Sequence, residues 1–301
     1  MLTIFTPTYN RAYILDKLYL SLCIQTNKDF EWLIIDDGST DNTKEKIQKW
    51  ISEKKIQIRY VYQKNAGKSA AHNRALELTK TELFVCVDSD DQLHENAVAV
   101  VLEEWDKLRK QSKQEVGGMV AFREMSDGTP ITQYQENLDC KVGKLKEFYD
   151  RKIISGDTML IFDVSKVGSL RFPVFEGEKF VPEAYLYDQF DQISSFLIVP
   201  QYIYICEYLE DGYTQNMARL IAKNPNGYLA YIEQRIKYDN DIKNVICDTI
   251  RYVAIAVCAK KKNIIKSSHN PLCAFVMYPF GKLFYRIRYK KYYTRREYCE
   301  K

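Results

Sequence analysis

Along the first 120 residues, short continuous apolar runs alternate with segments whose apolar positions recur at helical spacing. The runs LTIFTPT (2–8), EWLIIDD (31–37), IQIRYVYQ (56–63) and ELFVCVD (82–88) predict four strands. The second, continuous in Leu33, Ile34 and Ile35, reads as a parallel strand buried on both faces. Between and after them, YILDKLYLSLCIQ (13–25), NTKEKIQKWISEK (42–54), KSAAHNRALELT (68–79) and ENAVAVVLEEWDKLRK (95–110) predict helices. The second of these follows the capping candidates Ser39, Thr40 and Asp41. Such alternation predicts an α/β fold with a mostly parallel central sheet wrapped by helices. In sheets of that kind ligands bind outside the carboxyl ends of the strands.

From Val116 the pattern changes. VGGMVAFREM (116–125) and TMLIFDV (158–164) read as further strands. FPVFEGEKFVPEAYLYDQFDQI (172–193) leads from a turn into a helix, and FLIVP (196–200) and YIYICEYL (202–209) follow as two strands. After Gly212 the pattern is helical, through NGYLAYIEQRIKY (226–238) and IKNVICDTIRYVAIAVCAKKK (242–262). The softest boundary falls near 210–216, which predicts one α/β domain over 1–210 and a helical extension over 211–301. No apolar run reaches the roughly 18 residues of a bilayer-spanning helix, and MLTIFTPTYN lacks the basic start of a signal peptide.

Hydrophobic residues make up 46% of the chain and charged residues 28%, which excludes global disorder. The eight cysteines form no CxxC pair and no zinc spacing, so free thiols in a reducing cytoplasm are expected. The net charge of +4 conceals a division: residues 260–301 hold 12 Lys/Arg against 2 Asp/Glu, and the remainder is acidic. A basic tail of this kind seeks phosphate.

The predicted strand ends carry the chemistry. The first ends in Pro7, Thr8, Tyr9, Asn10 and Arg11; the second in Asp36, Asp37, Gly38 and Ser39; the fourth in Asp88, Ser89, Asp90 and Asp91. Carboxylates gathered at two ends of one sheet repel each other unless a cation or a ligand's donors resolve the conflict. Oxygen-only donors favour Mg²⁺ or Mn²⁺ over zinc, with substrate phosphate completing the shell. Taken singly each piece has a plainer reading: DDGS as a turn, DSDDQLHEN as a helix-capping loop, GKSAAHN as an ordinary helix start. The glycines form neither GxGxxG nor GxxxxGK, which disfavours dinucleotide oxidoreductases and P-loop enzymes. A sugar-phosphate nucleotidylyltransferase would place a glycine-rich loop after the first strand, where this chain has TPTYNR.

In their order and spacing, IFTPTYNR, IIDDGSTD, NAGKSAAHNRAL and VCVDSDDQLHENA resemble a family 2 glycosyltransferase with the GT-A nucleotide-sugar-binding fold. The motifs cover the first third of the chain, with a nucleotide-binding half over 1–95 and an acceptor and base half over 96–210. The resemblance implies an inverting transferase that uses a UDP-sugar and Mn²⁺ or Mg²⁺. It implies that Pro7 and Tyr9, with Arg11 beyond them, flank the nucleobase, and that Asp37 accepts a hydrogen bond from the uracil ring. Asn65, Gly67, Lys68 and Asn73 lie beside the nucleotide in this reading, and His72 stands where many relatives have arginine. Asp88 and Asp90 match the DXD motif, with Asp88 and Ser89 near the ribose and Asp90 the preferred metal ligand, joined by Asp88 or Asp91.

The same resemblance places the catalytic base at a turn entering a helix in GEKFVPEAYLYDQF. Aligning the aromatic helix puts Glu183 on the usual base, with Pro182 in place of the first member of the family's acidic pair and Glu178 as the next candidate. Glu183 also has a plainer reading as an acid at a helix start. In the tail, Tyr285, Tyr289, Tyr292 and Tyr293 alternate with Arg286, Arg288, Lys290, Lys291, Arg295 and Arg296, a mixture suited to the headgroup layer of an anionic membrane. The alternative is a solvated basic helix packed on the body. No nucleic-acid module accompanies the tail, so no nucleic-acid partner is expected. The expected enzyme is peripheral at the cytoplasmic face of the cell membrane and serves a saccharide acceptor on a polyprenyl-diphosphate carrier. A non-catalytic protein that keeps the nucleotide pocket is the alternative function.

Overall fold

The computed structural model describes residues 1–111, 116–136, 141–207 and 217–294. The first half follows the predicted alternation: β1 (Leu2–Thr8), α1 (Leu15–Cys23), β2 (Phe30–Asp36), α2 (Thr43–Glu53), β3 (Ile58–Tyr62), α3 (Lys68–Leu78), β4 (Leu83–Cys86), the two-residue β5 (Gln92–Leu93) and α4 (Ala97–Lys110). Then come β6 (Val116–Met125), β7 (Gln133–Tyr134), β8 (Val142–Gly143), α5 (Leu145–Asp150), β9 (Ile154–Ser155), β10 (Thr158–Asp163), α6 (Val164–Val167), α7 (Ala184–Ile193) and β11 (Ser195–Cys206). The last helices are α8 (Met217–Lys223), α9 (Pro225–Tyr238), α10 (Ile242–Cys258), α11 (Pro271–Arg288) and α12 (Lys291–Thr294).

The main sheet runs β3-β2-β1-β4-β10-β6-β11-β5, with β8 beside β11, and β7 and β9 form a separate pair. β3, β2, β1 and β4 are mutually parallel. β10 lies antiparallel to both β4 and β6, and β6 is parallel to β11. Six strands therefore point one way, and the sheet is mostly parallel. FLIVP and YIYIC, expected as two strands, are one: β11 continues through Pro200, and its register with β6 shifts between Ile198 and Tyr202. Proline has no N–H for the ladder, so pairing slips there without ending.

β2 is buried along its whole length, as its unbroken apolar run implied. Beneath it the rings of Tyr19, Trp32 and Trp50 stack, with 4.3 Å between the Tyr19 and Trp50 centroids. This locks α1 and α2 onto the sheet with about 0.5–1.5 kcal/mol per pair beyond area burial.

By contact the chain divides into two compact units, one of residues 1–171 and 186–209 and one of residues 172–185 and 210–301. The expected boundary at 210–216 lies outside the described residues. Residues 172–185 were expected with the sheet, but they group with the helices. Asn224 Oδ1 accepts the Lys179 N–H at 2.7 Å, and the Phe180 carbonyl approaches Gly227 so closely that a Cβ there would sit 2.2 Å from it. The helical unit has its own core around Tyr252, Val253, Ala254 and Ile255, joined by Leu229, Ile232 and Ile236. The buried Asp248 takes charged hydrogen bonds of 2.7 Å from both Arg235 and Arg251. Among the described residues no helix is long and apolar enough to cross a membrane.

Candidate active site

Parallel pairing of β3, β2, β1 and β4 brings their carboxyl ends to one edge. Thr8 pairs with Asp36 and Asp36 with Tyr62, so three strands end level. Beyond them the Asp37 N–H donates to the Thr8 carbonyl at 2.8 Å and the Gln63 N–H to the Asp36 carbonyl at 2.9 Å. The loops are then tied to each other. Asn10, in a left-handed conformation at φ 53°, donates its N–H to Ser39 Oγ at 2.9 Å, and its Oδ1 accepts from the Thr40 N–H at 2.7 Å.

The two aspartates after β2 divide the work. Asp36, fully buried, accepts from the Ser39 N–H at 2.7 Å and the Tyr60 hydroxyl at 2.6 Å. Asp37 accepts from Gln63 Nε2 at 2.7 Å, the Ala66 N–H at 2.9 Å and the Gly67 N–H at 2.7 Å. A carboxylate has about four lone-pair directions, so these three bonds leave room for one more donor. Asp37 thus fixes the loop that starts α3, where Asn65, Gly67 and Lys68 stand. Gly38 sits at φ +88° with the Asn65 backbone N 2.9 Å from where its Cβ would be, so only glycine lets these loops meet.

At the end of β4 the three aspartates have different surroundings. Asp88 is ion-paired with Lys68 at 2.6 Å. Burial pushes its carboxyl upward, but Lys68 first and then Arg123 and Arg11 outweigh this and hold it below the usual range. Asp90, half-buried, is raised by burial and by the neighbouring Asp88 charge. Asp91 is turned inward: it accepts from the Tyr204 hydroxyl at 2.6 Å and the Glu207 N–H at 3.1 Å, and burial and Asp88 raise it to about 7. Each of its oxygens thus accepts one hydrogen bond from the interior. Tyr204, on β11, also accepts the Asp88 N–H at 3.1 Å and lies under the Arg123 guanidinium at 4.2 Å from its ring centroid. Tyr204 and Arg123 were not singled out in the sequence. The only signal was a charged residue closing the apolar run of β6.

The edge keeps unsatisfied oxygens for a ligand. Thr8 Oγ1 and Asn65 Oδ1 are buried with no hydrogen-bond partner. Tyr9 is 49% exposed beside the buried end of β1, suited to a planar group above it. Pro7 stays within the β1 ladder opposite Ile35, and Arg11 follows at the loop. Ser89 is buried between Asp88 and Asp90, and Asn73 lies half-buried one turn further along α3. His72 is a core residue: its ring packs at 5.3 Å from Phe5 and 5.2 Å from Phe84, and burial with the nearby Lys68 lowers its pKa to about 3. It is neutral and brings no charge to a phosphate.

The donors fit a hard divalent cation. Asp88 and Asp90 offer carboxylate oxygen only, and the repulsion that raises Asp90 is what a shared cation relieves. Among the described residues no three Asp, Glu, His or Cys side chains converge. Two carboxylates with phosphate and water match the way Mg²⁺ is bound at nucleotides.

The two base candidates stand in the helical unit. Glu178 is committed to structure: its carboxylate accepts from the Asn226 N–H at 2.9 Å, Asn226 Nδ2 at 2.8 Å and the Gly227 N–H at 2.8 Å, at the first turn of α9. Glu183 lies on the turn just before α7, where the Tyr185 N–H bonds the Pro182 carbonyl at 2.9 Å.

A family model described as Glycosyl transferase family 2 matches residues 3–165. The chain is 35% identical over 123 residues to glycosyltransferase GlyA of Streptococcus pneumoniae, covering 41% of this chain and 17% of that protein. It is 33% identical over 106 residues to the teichoic acid poly(glycerol phosphate) polymerase of Staphylococcus epidermidis, covering 35% and 15%. The matched stretch spans about a sixth of each. Among solved structures, S. aureus TarS 1–349 in complex with UDP-GlcNAc aligns with a TM-score of 0.58 at 14% identity, over 96% of this chain and 93% of that one. The mannosyltransferase PcManGT of Pyrobaculum calidifontis, in complex with GDP-Man and Mn²⁺, aligns at 0.56 and 17% identity, over 97% and 82%. These likenesses bear out the GT-A fold.

Proposed function

The chain belongs to glycosyl transferase family 2, and from that premise we propose that it transfers a sugar from a UDP-sugar to a hydroxyl of a saccharide acceptor, with inversion. The observation that carries this reading is the single sheet edge that holds Asp37, Asn65, Lys68, Asp88 and Asp90. UDP as the nucleotide is supported by the one donor direction left at Asp37, which suits a ring N–H of uracil, and by the UDP-GlcNAc bound to TarS.

When bound by Asp90 with Asp88, a divalent cation supplies neutralisation of the charge on the departing diphosphate; the Mn²⁺ of PcManGT supports this choice. Lys68 keeps Asp88 ionised and adds its own positive charge beside the phosphate position. Asn65 and Thr8 offer buried acceptors to the donor's hydroxyls. In the transfer step the acceptor oxygen bonds to the anomeric carbon as the bond to the diphosphate breaks, and the acceptor proton passes to a carboxylate. Glu183 is our choice for that base, because Glu178 is occupied at the start of α9. The acceptor we propose is a saccharide on a polyprenyl-diphosphate carrier, met by a peripheral enzyme at the inner face of the cell membrane during surface polysaccharide assembly. The teichoic acid relative and the basic tail support that setting.

The test is UDP release from a panel of UDP-sugars with Mn²⁺ and a pool of lipid-linked acceptors. We expect one donor to be consumed, and Asp90→Ala to lose at least about 100-fold of the rate. Full metal-dependent turnover in Asp90→Ala would remove the ligand assignment, and UDP binding without turnover of any donor would favour the non-catalytic reading.

A further inference from the structure

We propose that α11 is a docking helix for an anionic lipid surface, which deepens the peripheral placement above and rests on it. Six large apolar side chains of this helix, Leu272, Phe275, Val276, Phe280, Leu283 and Ile287, are 51–76% exposed. At 100° per residue they fall, with Pro279, within one arc of the helix. The opposite arc carries Ala274 and Gly281, both buried. A Cβ on Gly281 would lie 2.4 Å from the Val253 Cβ, so α11 is pressed against α10 on that side. The helix is therefore anchored by one face and turns a largely apolar stripe outward, interrupted by Arg286. That is the reverse of an ordinary surface helix, whose outward face is polar.

The charge around the stripe selects its occupant. From Lys260 to Thr294 the chain has nine Lys/Arg and no Asp or Glu. Lys282 borders the stripe and Arg286 lies within its arc near the C-terminal end, and Arg288, Lys290 and Lys291 continue from that end, the last four exposed. A second copy meeting this face would set like charge against like charge. A lipid surface with anionic headgroups offers both the apolar layer and the counter-charge. The helix extends about 27 Å at 1.5 Å per residue and lacks the hydropathy to span, so it lies in the plane of the interface.

The test is flotation of the full chain with vesicles of phosphatidylglycerol and phosphatidylethanolamine, and with phosphatidylcholine alone. The chain should float with the anionic vesicles and remain behind with the neutral ones. The triple variant Leu272→Glu, Phe280→Glu, Ile287→Glu should stop floating, with its circular dichroism melt unchanged, because all three side chains already face water. The variant Lys282→Gln, Arg286→Gln, Lys290→Gln should lose roughly 100-fold in partitioning at low salt. No flotation of the native chain, or equal flotation of the native chain and the glutamate variant, overturns the proposal. So does a native dimer that the glutamate variant splits, since it would give the stripe to a second copy. Mn²⁺-dependent UDP binding, measured on the same samples, should be the same in all forms. Its absence in every form would sink the transferase reading while flotation still judges the helix.

Discussion

His72 shows how one side chain couples the sheet edge to pH. Buried against Phe5 and Phe84, with its pKa near 3, it stays neutral in the fold but takes a proton in the unfolded chain below about pH 6.5. Its contribution is therefore complete above that value and is lost as pH falls toward 3. Denaturant titrations at pH 7 and pH 5 should differ by about 2 kcal/mol on this account, and His72→Leu should remove most of the difference. An unchanged difference in the variant would place the proton elsewhere. Tyr204 supports the loop of Asp88, Asp90 and Asp91, which we propose holds the metal. Tyr204→Phe leaves Asp91 Oδ2 without its donor and the Asp88 N–H without its acceptor, at a cost of about 1–3 kcal/mol. Calorimetry should show UDP binding with Mn²⁺ weakened and UDP binding without metal nearly unchanged. Equal weakening of both would make Tyr204 a general support of the fold.

Among the elements, the turn from β2 to α2 is held by Gly38, and Gly38→Ala tests it. Its φ of +88° and the 2.9 Å approach to the Asn65 N mean that a methyl must strain the turn or push the α3 loop away. We expect about 1–3 kcal/mol lost in thermal unfolding and UDP affinity reduced at least tenfold; retention of both would mean the loops yield freely. The sequence made β1 to β4 and their helices legible because a strand buried on both faces reads as an unbroken apolar run, as Leu33, Ile34 and Ile35 do. It also located the aspartates, since polar residues just past such runs must fall at one edge. It misled at β11, where Pro200 suggested an ending and the structure absorbs it as a register shift. Its periodicity was silent on Asp36 against Asp37, which only the family resemblance told apart, because Tyr60 and Gln63 carry no local mark of their partners. Glu178 was equally hidden: its partners Asn226 and Gly227 lie 48 and 49 residues on, beyond the reach of periodicity.

At the scale of the whole molecule, the sheet edge proposed for the nucleotide and the base candidates belong to different compact units, each with its own apolar core. Donor binding and proton removal should therefore separate cleanly in mutants. Glu183→Gln keeps the size and hydrogen bonding of the side chain but cannot take the acceptor's proton. It should lower kcat by about 100- to 10,000-fold and leave the affinity for UDP with Mn²⁺ within experimental scatter. Glu178→Gln should behave in the opposite way. It weakens the carboxylate that gathers the first N–H groups of α9 and ties residues 172–185 to the helices, which costs about 1–2 kcal/mol of stability. Its turnover below the melting temperature should stay near that of the native chain, because the group lost is a cap. The comparison discriminates because each variant is read by the measurement the other should not move. If Glu178→Gln abolished turnover with an unshifted melt, or Glu183→Gln turned over normally, the proton would have to leave through a different carboxylate, and the assignment of the turn before α7 to base catalysis would fall.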